Sequence, residues 1–441
     1  MNSPAGRRGF LSSLFSDTVY VLVGKVLGGA SVVLLNFYLI RVLEPGQYGA
    51  YVFLTTALLL LDGMVCTSID LAVMRVVTGR EPQEGERQFA REEMAGVAVK
   101  LGVLAALLVM MLAAGERLGQ LALHQANARW LMTTAVLAGG MQMLFRSVQL
   151  HYQIQLKFQL FGVAEFLHTL LRVSLILLCV WAGRAQVGWL ISCYALAPFA
   201  MALLLTAAPK TGRFEFAGCT WQDIVRLSHT IRYTLATFGV GGVVSRLDVL
   251  ILAFVGSAQE LGVYGAAQSV IMIPEVLGTY LASVFTPRIM PLCKDGKFYS
   301  FFQRFYLAAY LGALMIFIVT AFAVRPLLEL IFPASYSQST GLVQWLLPGA
   351  IANFLLFPLT LNFMLFFSPR SFLFYDLCAA PVLGLAYYGA AVRYGVFGVA
   401  IVTLVSRLTK ALVMQILATR LAFRVGSGIV PVPEREAFAE G

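Results

Sequence analysis

The sequence predicts an all-α polytopic membrane protein of about 12 transmembrane helices, in two parallel pseudo-repeated six-helix lobes around a central cavity. Three observations carry that expectation: an apolar composition, unbroken hydrophobic runs of membrane length, and an internal repeat at about half the chain length. Of the 441 residues 59% are hydrophobic and 12% charged, with a mean hydropathy of +0.81, whereas an ordinary soluble domain carries about 25% charged residues. Hydrocarbon satisfies no backbone polar group, so spans must be helices or a closed barrel. The runs lack the alternation of barrel strands, which leaves helices.

Taking roughly 20 apolar residues as one crossing, the first set of spans falls at 18–42, 48–74, 94–115, 130–150, 160–182 and 187–208. A second set falls at 230–256, 260–287, 304–332, 342–367, 371–392 and 396–423. The domain plan is an N-terminal lobe over 1–208, a basic cytoplasmic linker over 209–229, a C-terminal lobe over 230–425 and a cytoplasmic tail over 426–441. Arg146, His151, Gln153, Gln155 and Lys157 blur the ends of spans four and five. The early stretch GRRGFLSS resembles a twin-arginine export signal, but the apolar run after it is longer than a signal core and contains Lys25. It reads as a retained first span.

Orientation follows from the loop cations. Arg7, Arg8, Arg75, Arg80, Arg87, Arg91, Arg146, Lys157, Lys210, Arg213, Arg226, Arg232, Arg288, Lys294, Lys297, Arg304, Arg370, Arg420, Arg424 and Arg435 fall on one side, with Arg41, Arg117, Arg129, Arg184, Arg325 and Arg393 on the other. The richer side is cytoplasmic, which puts both termini inside and turns the net charge of +10 towards an anionic inner leaflet. No segment outside the spans is long enough to fold into a basic nucleic-acid-binding face. Cys66, Cys179, Cys193, Cys219, Cys293 and Cys378 are scattered, and their spacing gives neither a disulfide framework nor a metal motif.

The repeat appears when the chain is shifted by 213 residues, the separation of Gly49 from Gly262. LEPGQYGAY at 43–51 then lies over GSAQELGVY at 256–264, pairing Tyr51 with Tyr264. The same register pairs Tyr20 with Tyr233, Gly28 and Gly29 with Gly241 and Gly242, Asp62 with Glu275, Arg75 with Arg288 and Arg91 with Arg304. Six spans is an even number, so both units enter from the same side and are related by an axis along the membrane normal, an arrangement suited to alternating access by rocking. LEPGQYGAY itself reads as the outer turn between spans one and two, with Tyr51 in the interfacial aromatic belt. A phosphate cradle would need a preceding strand, and none is present.

At this point the residues resemble a family. LIRVLEPGQYGAY, the second span leading into DLAVMRVV, and RLDVLILAFVGSAQELGVYGAAQSVIMIPEVLGTYLASVFTPRI are similar to the polysaccharide-flippase branch of the multidrug/oligosaccharidyl-lipid/polysaccharide exporter superfamily. The likeness covers the first and third quarters. It implies a V-shaped two-lobe transporter in the bacterial cytoplasmic (inner) membrane that moves a polyprenyl-diphosphate-linked saccharide from the inner to the outer leaflet. Its partners would be that saccharide, membrane lipid and, as an open question, a proton or sodium gradient. No cofactor and no nucleic acid are expected.

Function is sought where a charge lies inside a span. Asp62, Arg172, Arg246, Asp248, Glu275, Arg407 and Lys410 do so, and each would cost about 2.5 to 3.5 kcal/mol facing lipid at a helix centre on insertion scales. They must face a wet cavity or one another. Arg407 and Lys410, three apart, share a face and are the best candidates for a diphosphate. The alternative is that Lys410 snorkels while Arg407 pairs with an acid elsewhere. Glu165, His168 and Arg172 form a polar stripe on span five, where an ion-pair network suits Glu165 and the pathway suits Arg172. Arg246 and Asp248, two apart, need separate partners, and Lys25 either snorkels or lines the cytoplasmic mouth.

The substrate-binding candidates are therefore Arg407, Lys410, Arg246, Arg172 and Lys25. Asp62, Glu275 and Asp248 are candidates for ion coupling or for charge balance. Gly24 to Gly29 and Gly239 to Gly242 read as close helix packing. No catalytic or metal constellation emerges, so a transporter is expected and an enzyme is not. An ion-coupled multidrug exporter of the same superfamily is the alternative, although cationic drugs would favour an acidic cavity. A membrane polysaccharide polymerase or ligase is disfavoured by the absence of a large outer loop.

Overall fold

The computed structural model describes residues 24–78, 86–124, 128–155, 157–207, 218–275, 331–366 and 369–426, with isolated positions between 310 and 329. Among them the chain is helical and contains no strand. The helices are α1 (Gly24–Val42), α2 (Pro45–Leu61), a π turn at Asp62–Cys66, α3 (Thr67–Thr78), α4 (Glu86–Leu123), α5 (Ala128–Ile154), α6 (Phe158–Trp181) and α7 (Val187–Ala207). There follow α8 (Trp221–Val244), α9 (Leu247–Val255), α10 over 258–275, α11 (Ser337–Phe366) and α12 (Pro369–Gly426). Exposed leucines such as Leu34, Leu112 and Leu385 form the outward faces, as a lipid solvent allows.

The predicted spans match these helices closely, with three instructive departures. The first is LEPGQYGAY. Only Leu43 and Glu44 are non-helical, because Pro45 starts α2, where its missing N–H would have had no partner. Tyr51 is therefore inside the helix and 2% exposed, bonded to Tyr194 rather than standing in an interfacial belt. Its repeat partner starts α10 differently: Ser257 Oγ accepts from Glu260 N at 3.1 Å and Glu260 Oε2 accepts from Ser257 N at 2.9 Å, a capping box.

Span seven supplies the second departure, being two helices, α8 and α9, broken at Ser245 and Arg246. In the third, spans eleven and twelve are two helices that meet at a single residue rather than through a longer loop. Gly395 breaks α12, with φ 58° and ψ −143°, and a Cβ there would lie 2.9 Å from Glu260 Oε1. Both the torsion and the contact call for glycine. The predicted span 304–332 and the end of 260–287 lie largely outside the described residues.

The chain forms two compact units, Met1–Leu35 with Gly49–Arg246, and Asn36–Tyr48 with Leu247–Gly441. In the first, α3, α4, α5 and α8 enclose Ile69, Val73, Val77, Ala95, Leu150, Leu227 and Ile231, and Thr234 Oγ1 donates to the Ser68 carbonyl at 3.0 Å. Helices approach closely at small residues, as expected: a Cβ on Gly24 would lie 2.9 Å from the Gly162 carbonyl oxygen, and one on Gly242 3.0 Å from Met64 Cγ. α4 runs for 38 residues, about 57 Å at 1.5 Å per residue.

In the second unit α12 packs on α9 and α11, and two fully buried tyrosines fasten the 36–48 segment. Tyr336 OH donates to the Leu43 carbonyl at 2.9 Å, and Tyr48 OH shares a 2.9 Å hydrogen bond with Ser269 Oγ.

Candidate functional site

The polar interior of the first unit is built around Arg146. The π turn inserts one residue between α2 and α3 and presents Asp62 to α5, where Arg146 Nε and Nη2 reach its two carboxylate oxygens at 3.2 and 3.1 Å. π turns of this kind are frequent at functional sites. Arg146 Nη1 donates to Gln149 Oε1 at 3.2 Å and lies 3.6 Å from Glu165 Oε2, which also accepts from Gln149 Nε2 at 2.7 Å. One guanidinium thus serves two acids from two other helices, the fork geometry for which arginine is suited. Lys25 on α1 is exposed and lies within electrostatic range of Glu165 and Arg146. A separate ion pair, Lys100 to Asp70 at 2.5 Å with Ser147 at 2.9 Å, ties α3, α4 and α5 together.

One turn along α6 from Glu165, His168 is 2% exposed and stacks on Phe145 with centroids 4.5 Å apart. Neither ring nitrogen has a hydrogen-bond partner among the described residues. A further turn brings Arg172, whose guanidinium carbon sits 4.8 Å over the Tyr194 ring. Its Nε is buried without a hydrogen-bond partner, and Arg172 makes no ion pair among the described residues. Tyr194 OH meets Tyr51 OH at 2.7 Å, so two phenols and one unpaired guanidinium converge.

In the second unit the charges are placed differently. Asp248, 4% exposed, accepts from Tyr264 OH at 2.7 Å, Gln268 Nε2 at 2.6 Å and Val249 N at 2.8 Å, all neutral donors. Tyr264 OH also meets Thr403 Oγ1 at 3.0 Å, and Tyr387 OH meets the same hydroxyl at 3.2 Å. Glu275 Oε1 lies 2.6 Å from Arg407 Nη1. Lys410 is exposed with Asp376 in electrostatic range; Arg246, the last residue of the first unit, is half-buried at the α8–α9 break. Arg407 and Lys410 therefore differ in surroundings, and Arg407 has an acid partner.

The two repeats answer the same demand with different helices. Tyr51 and Tyr264 occupy matching positions, and each bonds to the sixth helical segment of its set, at Tyr194 and Thr403. Asp62 and Glu275 also match, and each meets an arginine, Arg146 on α5 and Arg407 on α12. Reading the sequence placed Arg146 at a vague span end and missed its central role. The signal in the sequence was its place about one turn inside the predicted span 130–150; the structure extends that helix to Ile154 and leaves Arg146 deeper still. No cluster of three or more metal-ligating side chains occurs among the described residues.

Comparison with solved structures defines the fold. The chain superimposes on an inward-facing multidrug resistance MATE family transporter of the MOP superfamily with a TM-score of 0.72 and 11% identity, over 93% of this chain and 99% of that one. It superimposes on the lipid II flippase MurJ in an inward closed conformation with a TM-score of 0.73 and 10% identity, over 93% and 90%. A third likeness, TM-score 0.62 and 12% identity over 93% and 96%, is to a MOP superfamily transporter from Pyrococcus furiosus for which a binding pocket of reverse polarity is described. No protein-family model and no curated protein sequence matches the chain. The fold is that shared by these MOP superfamily structures, as the sequence resemblance implied, and the first two of them are a multidrug transporter and a lipid flippase.

Proposed function

We propose that the protein is a flippase that moves a polyprenyl-diphosphate-linked oligosaccharide, the repeat unit of a polysaccharide, from the cytoplasmic to the outer leaflet by alternating access. In this reading the lobes are 1–208 and 230–425, both termini are cytoplasmic, and the membrane is a bacterial inner membrane. The observation that carries it is Arg172. An intramembrane guanidinium that makes no ion pair among the described residues is an expensive residue, and here it leans on Tyr194 beside the Tyr51 hydroxyl, with Glu165 on its own helix in electrostatic range. A diphosphate would take up its charge in bidentate fashion while the phenols donate to the same oxygens. A cationic drug would be repelled.

Lys25 and Arg246 in the first unit and Arg407 and Lys410 in the second are the other candidates for the anionic substrate, Arg407 by exchanging Glu275 for phosphate. Asp62 and Glu275 serve charge balance. Asp248, whose hydrogen-bond donors among the described residues are all neutral, is the carboxylate best suited to take up a coupling proton or sodium ion.

The test is the amount of polyprenyl-diphosphate-linked oligosaccharide in a strain lacking this chain, complemented by wild type, Arg172→Ala or Arg172→Lys. Wild type should clear the accumulated lipid. With a charged hydrogen bond worth about 1.5 to 3 kcal/mol, Arg172→Ala should clear it some 10- to 150-fold more slowly. No accumulation on deletion, with unchanged surface polysaccharide and raised drug sensitivity, would instead favour a multidrug exporter.

A further inference from the structure

We propose that Cys179 and Cys193 form a disulfide that staples the α6–α7 hairpin. The two residues are 14 apart in sequence, yet their Sγ atoms lie 3.5 Å apart across two adjacent helices. Both are free thiols, and among the described cysteines they are the two in sulfur contact. Local bonds hold each half in place. Cys193 Sγ donates to the Trp189 carbonyl at 3.3 Å, and the Cys179 carbonyl accepts from Arg184 N at 2.9 Å. A disulfide needs about 2.05 Å between sulfurs, so closure requires the two sulfurs to approach by about 1.5 Å.

The hairpin tip has the character of a membrane edge. Residues 182–184 are exposed, Gly183 turns the chain at φ 73°, and Trp181 is 87% exposed. The Arg184 guanidinium stacks 4.8 Å over the Trp189 ring. Cys179 lies two residues from the end of α6 and Cys193 six residues into α7, about 3 and 9 Å along the helix axes. A water-borne oxidant therefore needs to pass only the last turn of α6. The orientation proposed above puts this tip in the outer compartment, where disulfides persist.

The chemistry is thiol–disulfide exchange with an extracytoplasmic thiol oxidant that carries its own disulfide. The thiolate of one cysteine attacks that disulfide, forming a mixed disulfide and releasing one oxidant thiol. The second thiolate then displaces the other oxidant sulfur, leaving the Cys179–Cys193 bond. Two thiol protons and two electrons leave the protein, and the electrons reduce the oxidant to a dithiol.

Trypsin sites at Arg172, Arg184 and Lys210 place the two cysteines on separate peptides, 173–184 and 185–210. Intact cells are acid-quenched, alkylated and digested without reductant. The expected result is a linked pair of these peptides roughly 2 Da lighter than the sum of the free thiols, lost on reduction and absent from Cys179→Ser and Cys193→Ser. Recovery of both peptides alkylated, with no linked species, overturns the proposal. As a second measurement, reductant should lower the unfolding midpoint of purified wild type and leave that of either serine variant unchanged; an equal response in all three also overturns it. Arg184→Cys in a cysteine-free background, probed with a membrane-impermeant maleimide, reports the side of the tip separately. A failed orientation is thereby distinguished from a failed disulfide.

Discussion

Replacing Arg146 by alanine removes the one cation shared by Asp62 and Glu165. Asp62 loses both of its arginine hydrogen bonds, at 3.1 and 3.2 Å, while Glu165 keeps Gln149 at 2.7 Å and loses only the 3.6 Å ion pair. Stripping one partner from a buried pair costs about 3 to 5 kcal/mol, most of it from the charge left behind. The side chains of Arg146, Asp62 and Glu165 remain 30%, 22% and 21% exposed, so water relieves part of that charge and the lower end applies. The expected loss is about 3 kcal/mol, on the order of 150-fold in the unfolding equilibrium.

The assay is an unfolding titration in mixed micelles with a denaturing detergent, run on wild type, Arg146→Ala, Asp62→Asn and the double variant. If the pair is coupled as described, the double variant should be more stable than the sum of the single losses predicts, by at least about 1 kcal/mol. Additive losses, or an Arg146→Ala loss under about 0.5 kcal/mol, would show that the network is a surface arrangement screened by water and would refute the reasoning.

The same logic makes Lys100→Met costly, by about 3 kcal/mol, whereas Lys100→Met with Asp70→Leu should be near neutral in the same titration. Gly395→Ala forces a left-handed torsion and a contact with Glu260, so a loss of about 1 to 3 kcal/mol is expected, partly restored by Glu260→Ala. Asp248→Asn keeps the shape of the Tyr264 and Gln268 contacts but removes the titratable group. Clearance of lipid-linked oligosaccharide by that variant should lose its dependence on proton or sodium gradient; an unchanged dependence assigns coupling elsewhere. Arg407→Ala and Lys410→Ala together should leave more uncleared lipid than either alone, and equal effects would remove Lys410 from the lining.

Hydropathy located the helices because burial in lipid imposes length and apolarity one segment at a time. What it missed depends on partners distant in sequence. Arg146 and His151 looked like residues at a span end, yet the first meets Asp62, 84 residues away, and the second has its Nδ1 2.8 Å from Glu93, 58 residues away. The π turn that aims Asp62 has no composition signal, and the 14-residue spacing of Cys179 and Cys193 resembles no motif until two helices lie side by side. The pairing of Asp62 with Glu275 in the repeat was legible; that their arginines come from α5 in one case and α12 in the other was not, because the register was traced only through the first two spans of each set. Arg407 shows the limit of helical spacing: three residues from Lys410, it still turns its charge to an acid on another helix.

The length of α4 bears on the host membrane. At about 57 Å it is nearly twice the roughly 30 Å of hydrocarbon it must cross. Its early turns carry Arg91, Glu92 and Glu93, and Glu93 docks on His151 in the last turn of α5. Both helices continue unbroken through this polar section, so the lipid boundary meets a shaft rather than a loop. In a thicker or thinner bilayer that boundary moves along the shaft by a residue or two, and the contact between Glu93 and His151 travels with the protein.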